Sequence, residues 1–394
     1  MPHIRTEFRP FNEVIDIANK LEMVEFVAVE KDNKEILFGL NYKNEKFLLV
    51  YRAIEFGALL KYEKITRPLK LATLKEALEK LCTELGLEII DSNIATTRQK
   101  PPLFASKYYK KIESFTDIEF PCDNVSIEVG FGSGRHILYQ ANTNPDTLYI
   151  GIEIHTPSAQ QLLKQIEIQN LTNIWVVNYD ARLFFEMLPS NLATQIFVHF
   201  PVPWDKKPLR RVISGSFTNE ALRILDKNGT LELRTDSDLY YKYALDVFSL
   251  LPRLSMGVNK NHALPVMSKY EARWVRQEKD IYDVVIKCED KSAKKEEEYN
   301  FLFSDFGYNI SLKDIISKES NIYEDYFVHF ESIYMMDTIG IVIKCAFGSF
   351  ERPEHKYIIL GANNVEYYPS LPIASKSNYN AHLKIKEFLN VNNH

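Results

Sequence analysis

The spacing of apolar and polar positions changes character along this chain, and each change marks a boundary. Over the first 90 residues short apolar runs alternate with polar turns, as in Glu35-Ile36-Leu37-Phe38-Gly39 and Lys46-Phe47-Leu48-Leu49-Val50-Tyr51. An amphipathic stretch follows from Leu74 to Leu85. Runs of this length predict strands and the later periodicity a helix, so residues 1–90 read as a small α+β module. Residues 91–120 lose the periodicity. They are polar and basic at Arg98, Lys100, Lys107, Lys110 and Lys111, and Pro101-Pro102 breaks them. A linker or arm is expected there.

From Val125 the texture is different. Strand-like runs at Ser126–Val129, Leu148–Ile152, Asn173–Val177, Gln195–Phe200 and Thr230–Arg234 alternate with helical patterns. One of these, Thr156–Gln169, carries Leu162, Leu163 and Ile166 as an apolar stripe. Thr156 is placed to cap it and Pro157 to start it. Strands alternating with helices predict an α/β domain with a mostly parallel sheet covered on both faces, over residues 121–290. The charge-dense Glu289–Tyr299 closes it. Residues 300–394, with runs at Ile341–Ala346 and Tyr357–Leu360, read as a β-rich module, and no internal repeat is visible.

Composition narrows the class. A length of 394 residues suits two or three domains. A net charge of −5 argues against a protein that coats nucleic acid indiscriminately, but a local basic face is still possible. Cys82, Cys122, Cys288 and Cys345 are far apart, without a CxxC pair or clustered His, so no metal site and no disulfide framework is expected. The first residues lack an apolar signal region and no run reaches membrane-spanning length. The expectation is a cytoplasmic enzyme with no membrane partner.

The first chemical motif is a glycine loop. Ser126-Ile127-Glu128-Val129 runs into Gly130-Phe131-Gly132-Ser133-Gly134-Arg135 and then a helix. Alternate glycines let the backbone approach a ligand at a helix N-terminus. The GxGxG spacing, preceded by Glu128, differs from the GxGxxG of dinucleotide binders. The next strand ends in Glu153, placed for the two hydroxyls of a ribose. After the third strand come Asp180, placed for an adenine amino group, and Ala181, whose N–H can meet a ring nitrogen. Any one of these acids can be a helix cap or a solvated strand end. Three at successive strand ends lie where open α/β sheets bind ligands.

After the fourth strand the chain reads His199-Phe200-Pro201-Val202-Pro203-Trp204-Asp205-Lys206-Lys207-Pro208-Leu209-Arg210-Arg211. The prolines stiffen the exit from the strand. The basic run beyond it, with Arg210 and Arg211, suits phosphate contacts or is simply a solvated loop.

The acids and glycines together resemble a class I S-adenosyl-L-methionine-dependent methyltransferase. That resemblance implies a Rossmann-like, mostly parallel seven-stranded sheet, with Glu128 near the methionine end of the cofactor, Glu153 at the ribose and Asp180 at the adenine. More specifically, Ser126 to Cys288 resembles the bacterial tRNA guanine-N7 methyltransferase family (TrmB). The resemblance is carried by Glu128–Gly134, Gly151-Ile152-Glu153-Ile154-His155, Leu171-Thr172-Asn173, Asp180-Ala181, Phe200–Arg211, Thr235-Asp236 and Ser268–Glu271. It implies methyl transfer to N7 of a guanosine in tRNA, with the variable-loop guanosine expected. It also implies substrate roles for Lys206, Asp236, Ser268, Tyr270 and Glu271. Ser268 stands where the family usually has Thr. Val202 stands where the family usually has an Asp assigned to catalysis. Guanine N7 carries a lone pair and no proton, so the reaction needs no general base. Asp236 is then the leading carboxylate for holding the base, and Asp205 the alternative.

Other readings are a methyltransferase acting on another RNA or small molecule, an RNA-binding subunit of this fold without catalysis, and a nicotinamide oxidoreductase. The glycine spacing disfavours the last. The flanking segments are expected to widen the tRNA footprint, to stabilise the fold or to bind a protein partner. Both a monomer and a homodimer are compatible with the sequence.

Overall fold

The computed structural model describes residues 2–32, 34–66, 71–94, 106–116, 118–253, 255–266, 271, 277–295, 299–303, 320–336, 340–350, 352–361 and 364–390. The chain forms two compact units, one from residues 103–298 and the other from residues 1–102 together with 299–394. The two ends of the chain, expected as separate modules, therefore build one body.

In chain order the elements begin with β1 (His3–Thr6), α1 (Phe11–Ala18), β2 (Val24–Glu30), β3 (Glu35–Tyr42), β4 (Glu45–Ile54), β5 (Gly57–Tyr62), α2 (Leu71–Glu84) and β6 (Ile89–Ser92). The central unit holds β7 (Val125–Val129), α3 (Arg135–Thr143), β8 (Leu148–Ile152), α4 (Thr156–Ile168), β9 (Ile174–Val177) and α5 (Ala181–Met187). It continues with β10 (Ala193–His199), α6 (Gly215–Ile224), β11 (Leu225–Thr235), α7 (Asp238–Ser249), β12 (Ser255–Lys260) and β13 (Tyr282–Lys287). The chain closes with β14 (Asn321–Ile322), β15 (Phe327–Met336), β16 (Ile341–Gly348), β17 (Glu354–Leu360), β18 (Val365–Tyr368) and α8 (Lys376–Asn390).

In the terminal unit the strands pair in the order β18-β17-β16-β15-β2-β3-β4-β5-β1-β6, with β14 beside β15. The join is antiparallel pairing of β15 with β2, Tyr334 opposite Glu30 and Met336 opposite Ala28. On either side of it lies a four-stranded meander followed by a helix: β2 to β5 then α2, and β15 to β18 then α8. The architecture thus repeats although the sequence shows no repeat. Strand alternation explains the packing. Ile36 and Phe38 of β3 share a core with Leu74, Leu78 and Leu81 of α2. Leu37 between them belongs to a second core with Tyr334, Val342 and Tyr357. The Tyr368 hydroxyl of β18 donates to the Leu40 carbonyl of β3 at 3.1 Å, so the sheet curls on itself.

The central sheet runs β12-β13-β11-β10-β7-β8-β9. Strands β7 to β11 are parallel, while β13 is antiparallel to both β11 and β12. All five residues of β7 and of β8 are buried, as expected of strands covered on both faces. The chain steps outward from β7 to β9, then returns to the other side of β7 with β10. The switch between β7 and β10 places the ends of the parallel strands, and the helix starts that follow, along one edge.

Two local expectations change. His155, not Thr156, occupies the cap position of α4, and the Thr156 hydroxyl donates to Asn178 Oδ1 at 2.9 Å. The stretch expected as a free arm is, in its described part, packed on the sheet. Lys110 N–H donates to the Val176 carbonyl at 3.0 Å and Val176 N–H donates to the Tyr108 carbonyl at 2.8 Å, which covers the β9 edge. Phe115 is buried with its ring 4.6 Å from that of Phe184. Lys110 caps the Trp175 ring at 4.8 Å. Arg98, Lys100 and Pro101-Pro102 lie outside the described residues.

Candidate functional site

The glycine loop joins β7 to α3 in a conformation that side chains resist. Gly130, Gly132 and Gly134 have φ of 72°, 51° and 72°. A Cβ on Gly130 would meet nothing within 4 Å, and one on Gly132 would come no closer than 3.9 Å to the Gly130 carbonyl. The loop therefore leaves an open cradle. Gly134 differs, because its Cβ would lie 2.8 Å from Leu162 Cδ1 of α4. It serves helix packing. Glu153, just past the end of β8, accepts from Gly132 N–H at 3.1 Å and from His155 N–H at 2.9 Å. The second acid is thus tied to the cradle itself.

Glu128 is buried on β7, with its Oε2 2.9 Å from Nδ1 of His136 on α3. The His136 ring lies 4.6 Å from that of His199, the last residue of β10, tilted by 52°, and His199 Nε2 lies 2.8 Å from Glu232 Oε1 on β11. Burial pushes the His136 pKa down, but the charge and hydrogen bond of Glu128, with Glu232 and Glu271 behind it, hold it above the ordinary value. Burial would raise the Glu232 carboxyl, and its bond to His199 with the nearby cations holds it below. This network links the cradle to the loop after β10, and the sequence reading missed both histidines.

Asp180 caps α5, accepting from Arg182 N–H at 3.0 Å, and the Arg182 side chain grips both its oxygens at 3.1 and 2.8 Å. Ala181 opens the helix and is buried. The cap geometry weighed for a lone acid is realised here, at the strand end expected for a ligand contact.

Beyond β10 the chain is strained. Phe200 and Trp204 have φ of 50° and 45°, rare for aromatic residues and found where surrounding structure enforces them. Phe200 N–H donates to the Arg234 carbonyl at 2.7 Å. Val202 between them is exposed (61%). Arg210 lies over the Trp204 ring at 5.2 Å, and Lys206 is exposed beside it. The basic run is not one surface, however. Arg211 is buried, donates from Nε to the Pro203 carbonyl at 2.7 Å, and stacks on Tyr243 at 4.5 Å. Its expected phosphate contact gives way to a role inside the fold. Asp205 is half exposed and 3.6 Å from Arg211.

Asp236, just after β11, accepts from Lys279 Nζ at 2.9 Å, a partner that sequence reasoning did not find. Arg234, two residues earlier, is buried and donates to Glu271 at 2.6 Å, to Asp283 at 2.5 Å and to the His262 carbonyl at 2.8 Å. Burial raises the Asp283 carboxyl despite Arg234. Arg234 ties Glu271 to the backbone that carries Asp236. Ser268 and Tyr270 lie outside the described residues. Among the described residues no group of three or more His, Cys, Asp or Glu could hold a metal ion, and no helix is long and apolar enough to cross a membrane.

A parallel sheet with this switch point, a glycine cradle under it and acids on the neighbouring strands define a Rossmann-like methyltransferase unit. Residues 123–284 match a family model described as "Putative methyltransferase". Relatives cover almost the whole chain. A tRNA (guanine-N(7)-)-methyltransferase of Wolinella succinogenes is 36% identical over 93% of this chain and 91% of its own length. Those of Campylobacter jejuni (36%; 96% of each chain) and Campylobacter fetus (37%; 93% of this chain and 94% of its own) are similar. The chain belongs to the tRNA (guanine-N(7)-)-methyltransferase family.

Proposed function

We propose that this chain transfers the methyl group of S-adenosyl-L-methionine to N7 of a guanosine in tRNA, with the variable-loop guanosine as target. The observation that carries the reading is family membership across more than nine-tenths of the chain, joined to an open glycine cradle where a cofactor is needed. The residues fit the cofactor. Gly130 and Gly132 leave room for close approach, Glu153 suits the ribose hydroxyls, and Asp180 with the Ala181 N–H suits the adenine edge. Glu128, paired with His136, supports the cradle from β7. When bound, the group supplies a methyl carbon activated by a sulfonium.

The chain's own task is to orient and to stabilise. Guanine N7 has a lone pair and no proton, so no base is required, and positive charge appears on the purine as the new N–C bond forms. Asp236, held by Lys279 through a salt bridge, accepts from the N1–H and amino group of guanine and offsets that charge. Asp205 lies in the loop after β10 and is engaged only loosely by Arg211, so it is the weaker alternative. Lys206 and Arg210 are exposed for phosphates. Val202 argues for an RNA-binding subunit without catalysis, but a subunit without a cofactor has no use for the cradle left open at Gly130 and Gly132.

The test is incubation of the protein with unmodified tRNA and labelled S-adenosyl-L-methionine, then nucleoside analysis. Labelled 7-methylguanosine is expected. Binding of S-adenosylhomocysteine without transfer to any tRNA moves the reading to a different methyl acceptor or to the subunit without catalysis.

A further inference from the structure

Helices α3 and α4 cover the same face of the central sheet, where Ile137 and Ala141 of one and Leu162 and Ile166 of the other share a core with Tyr149 and Ile174. Between them a groove of about 1000 Å³ begins at Gly132 and Ser133 of the cradle. Helix α4 lines it with Ser158, Gln161 and Gln165, and Gln169 continues the line at the helix cap. Steps of three and four residues place these side chains in one line, roughly 16 Å long at 1.5 Å per residue. Helix α3 adds Arg135, Tyr139 and Asn142.

The composition of this lining is selective. The chain carries 53 acidic residues against 48 Lys and Arg. Among the described residues that line the groove there is no Asp or Glu, and Arg135 is the one charged side chain. The rest are mainly amides and hydroxyls, each able to donate and accept. A protein interface would offer an apolar centre with several anchors, and here Leu138, Tyr139 and Val266 are the only large apolar side chains in the lining. An RNA strand presents ribose 2′-hydroxyls, phosphate oxygens and base edges, which amide side chains match without preference for one base.

We propose that the groove between α3 and α4 seats the tRNA strand adjacent to the target guanosine, leading it to the glycine cradle. This rests on the reading of the chain as a tRNA methyltransferase. The lining holds the strand through amide contacts to sugars and phosphates, and its freedom from acids keeps the phosphates from being repelled.

The experiment compares the full-length protein with Gln161→Glu/Gln165→Glu and with Gln161→Lys/Gln165→Lys, using unmodified tRNA at low and high salt. The glutamate pair is expected to weaken tRNA binding by about tenfold at low salt, with the loss shrinking as salt rises. The lysine pair is expected to tighten it. The thermal shift produced by S-adenosylhomocysteine should be the same in all three, which also shows that the variants fold. Affinities that stay within about twofold of each other, or weakening by both pairs alike, overturn the proposal. Wild-type protein that makes no 7-methylguanosine, while the two pairs still move tRNA affinity in opposite directions, removes the functional reading and leaves the groove.

Discussion

His136 of the central unit is a partly buried imidazole and His382 of the terminal unit a fully buried one, yet the first lies against a carboxylate and the second among aromatic rings. Glu128 holds His136 above its ordinary pKa against the pull of burial. His382 has Phe303 at 4.9 Å and the Tyr367 hydroxyl 3.0 Å from its Nδ1. Burial, with Lys386 adding to it, pushes its pKa down to about 4. Topology accounts for the difference. A parallel sheet brings strand ends and helix starts to one edge, so Glu128, Glu153, Asp180, His199 and Arg234 come together although they are spread over 107 positions (234 − 128 + 1). Antiparallel meanders send successive strand ends to opposite edges, so their polar groups meet along the strands instead, as Glu35 does with Arg52 at 2.6 Å and with the Tyr334 hydroxyl at 2.8 Å. The central unit gathers charged groups at one edge of its sheet, and the terminal unit spreads them along its strands, where Glu331 meets Lys344 and His355.

The sharpest way to break this contrast is at Arg234. Removing a partner from a buried ion pair leaves an uncompensated charge, so Glu271→Ala should cost about 3–5 kcal/mol. Deleting Glu13, partnered by Arg9 at the surface of the terminal unit, should cost under about 0.5 kcal/mol. Trp175, Trp204 and Trp274 all lie between residues 103 and 298, so tryptophan fluorescence during denaturant unfolding reports the central unit alone. An unchanged midpoint for Glu271→Ala would mean that the triad contributes nothing to the fold.

A smaller change in free energy but a large one in rate is expected at Asp236. Asp236→Asn keeps the shape and one acceptor but loses the charge opposite the methylated base. Turnover should fall about a hundredfold, with a melting temperature near wild type. Lys279→Met should fall about tenfold, because Lys279 positions the carboxylate without touching the base. Full activity in Asp236→Asn, measured with saturating tRNA, would transfer the role to Asp205.

How much of this could be read beforehand follows from the range of each interaction. The glycine loop, the place of Glu153 at the end of β8 and the alternation of strands and helices are local patterns, and they appear in the fold as expected. Arg211 was misread because a run of basic residues looks the same whether its last member is solvated or buried under Tyr243. The pairing of β2 with β15 joins positions some 300 residues apart, and nothing near Ala28 signals Met336. Lys279 was invisible for the same reason, since its tie to Asp236 spans 43 residues. The positive φ of Phe200 has no composition signal at all, because aromatic residues do not favour it.

Acid should separate the two units next. Folded His382 takes up its proton only near pH 4, whereas the unfolded chain binds it near the ordinary 6.5. The unfolded state then holds more protons in that window. The terminal unit should therefore lose stability, up to about 3 kcal/mol, as pH falls from 6.5 towards 4. His136 has the opposite sign: its contribution is complete below the ordinary value and is lost as pH rises through the raised one. Far-ultraviolet circular dichroism should show a first acid transition that tryptophan fluorescence does not share, and His382→Gln should flatten it. Coincident transitions in both signals would end the idea that the units differ in this way.

The finest test lies within the glycine loop, where two residues share a conformation and differ in surroundings. Gly130 and Gly134 both have φ of 72°, so alanine at either costs about 1–2 kcal/mol of backbone strain. At Gly134 the new methyl also strikes Leu162, adding about 1 kcal/mol or more of repacking. At Gly130 it enters open space. Gly134→Ala should thus lower the fluorescence midpoint more than Gly130→Ala. Gly130→Ala, in turn, should weaken S-adenosylhomocysteine binding by about tenfold or more, because the methyl fills the cradle that the cofactor must occupy. Equal losses of stability with no change in affinity would mean that the glycines serve only the turn. The cofactor would then have to approach the sheet edge from the side of Asp180 and the loop after β10.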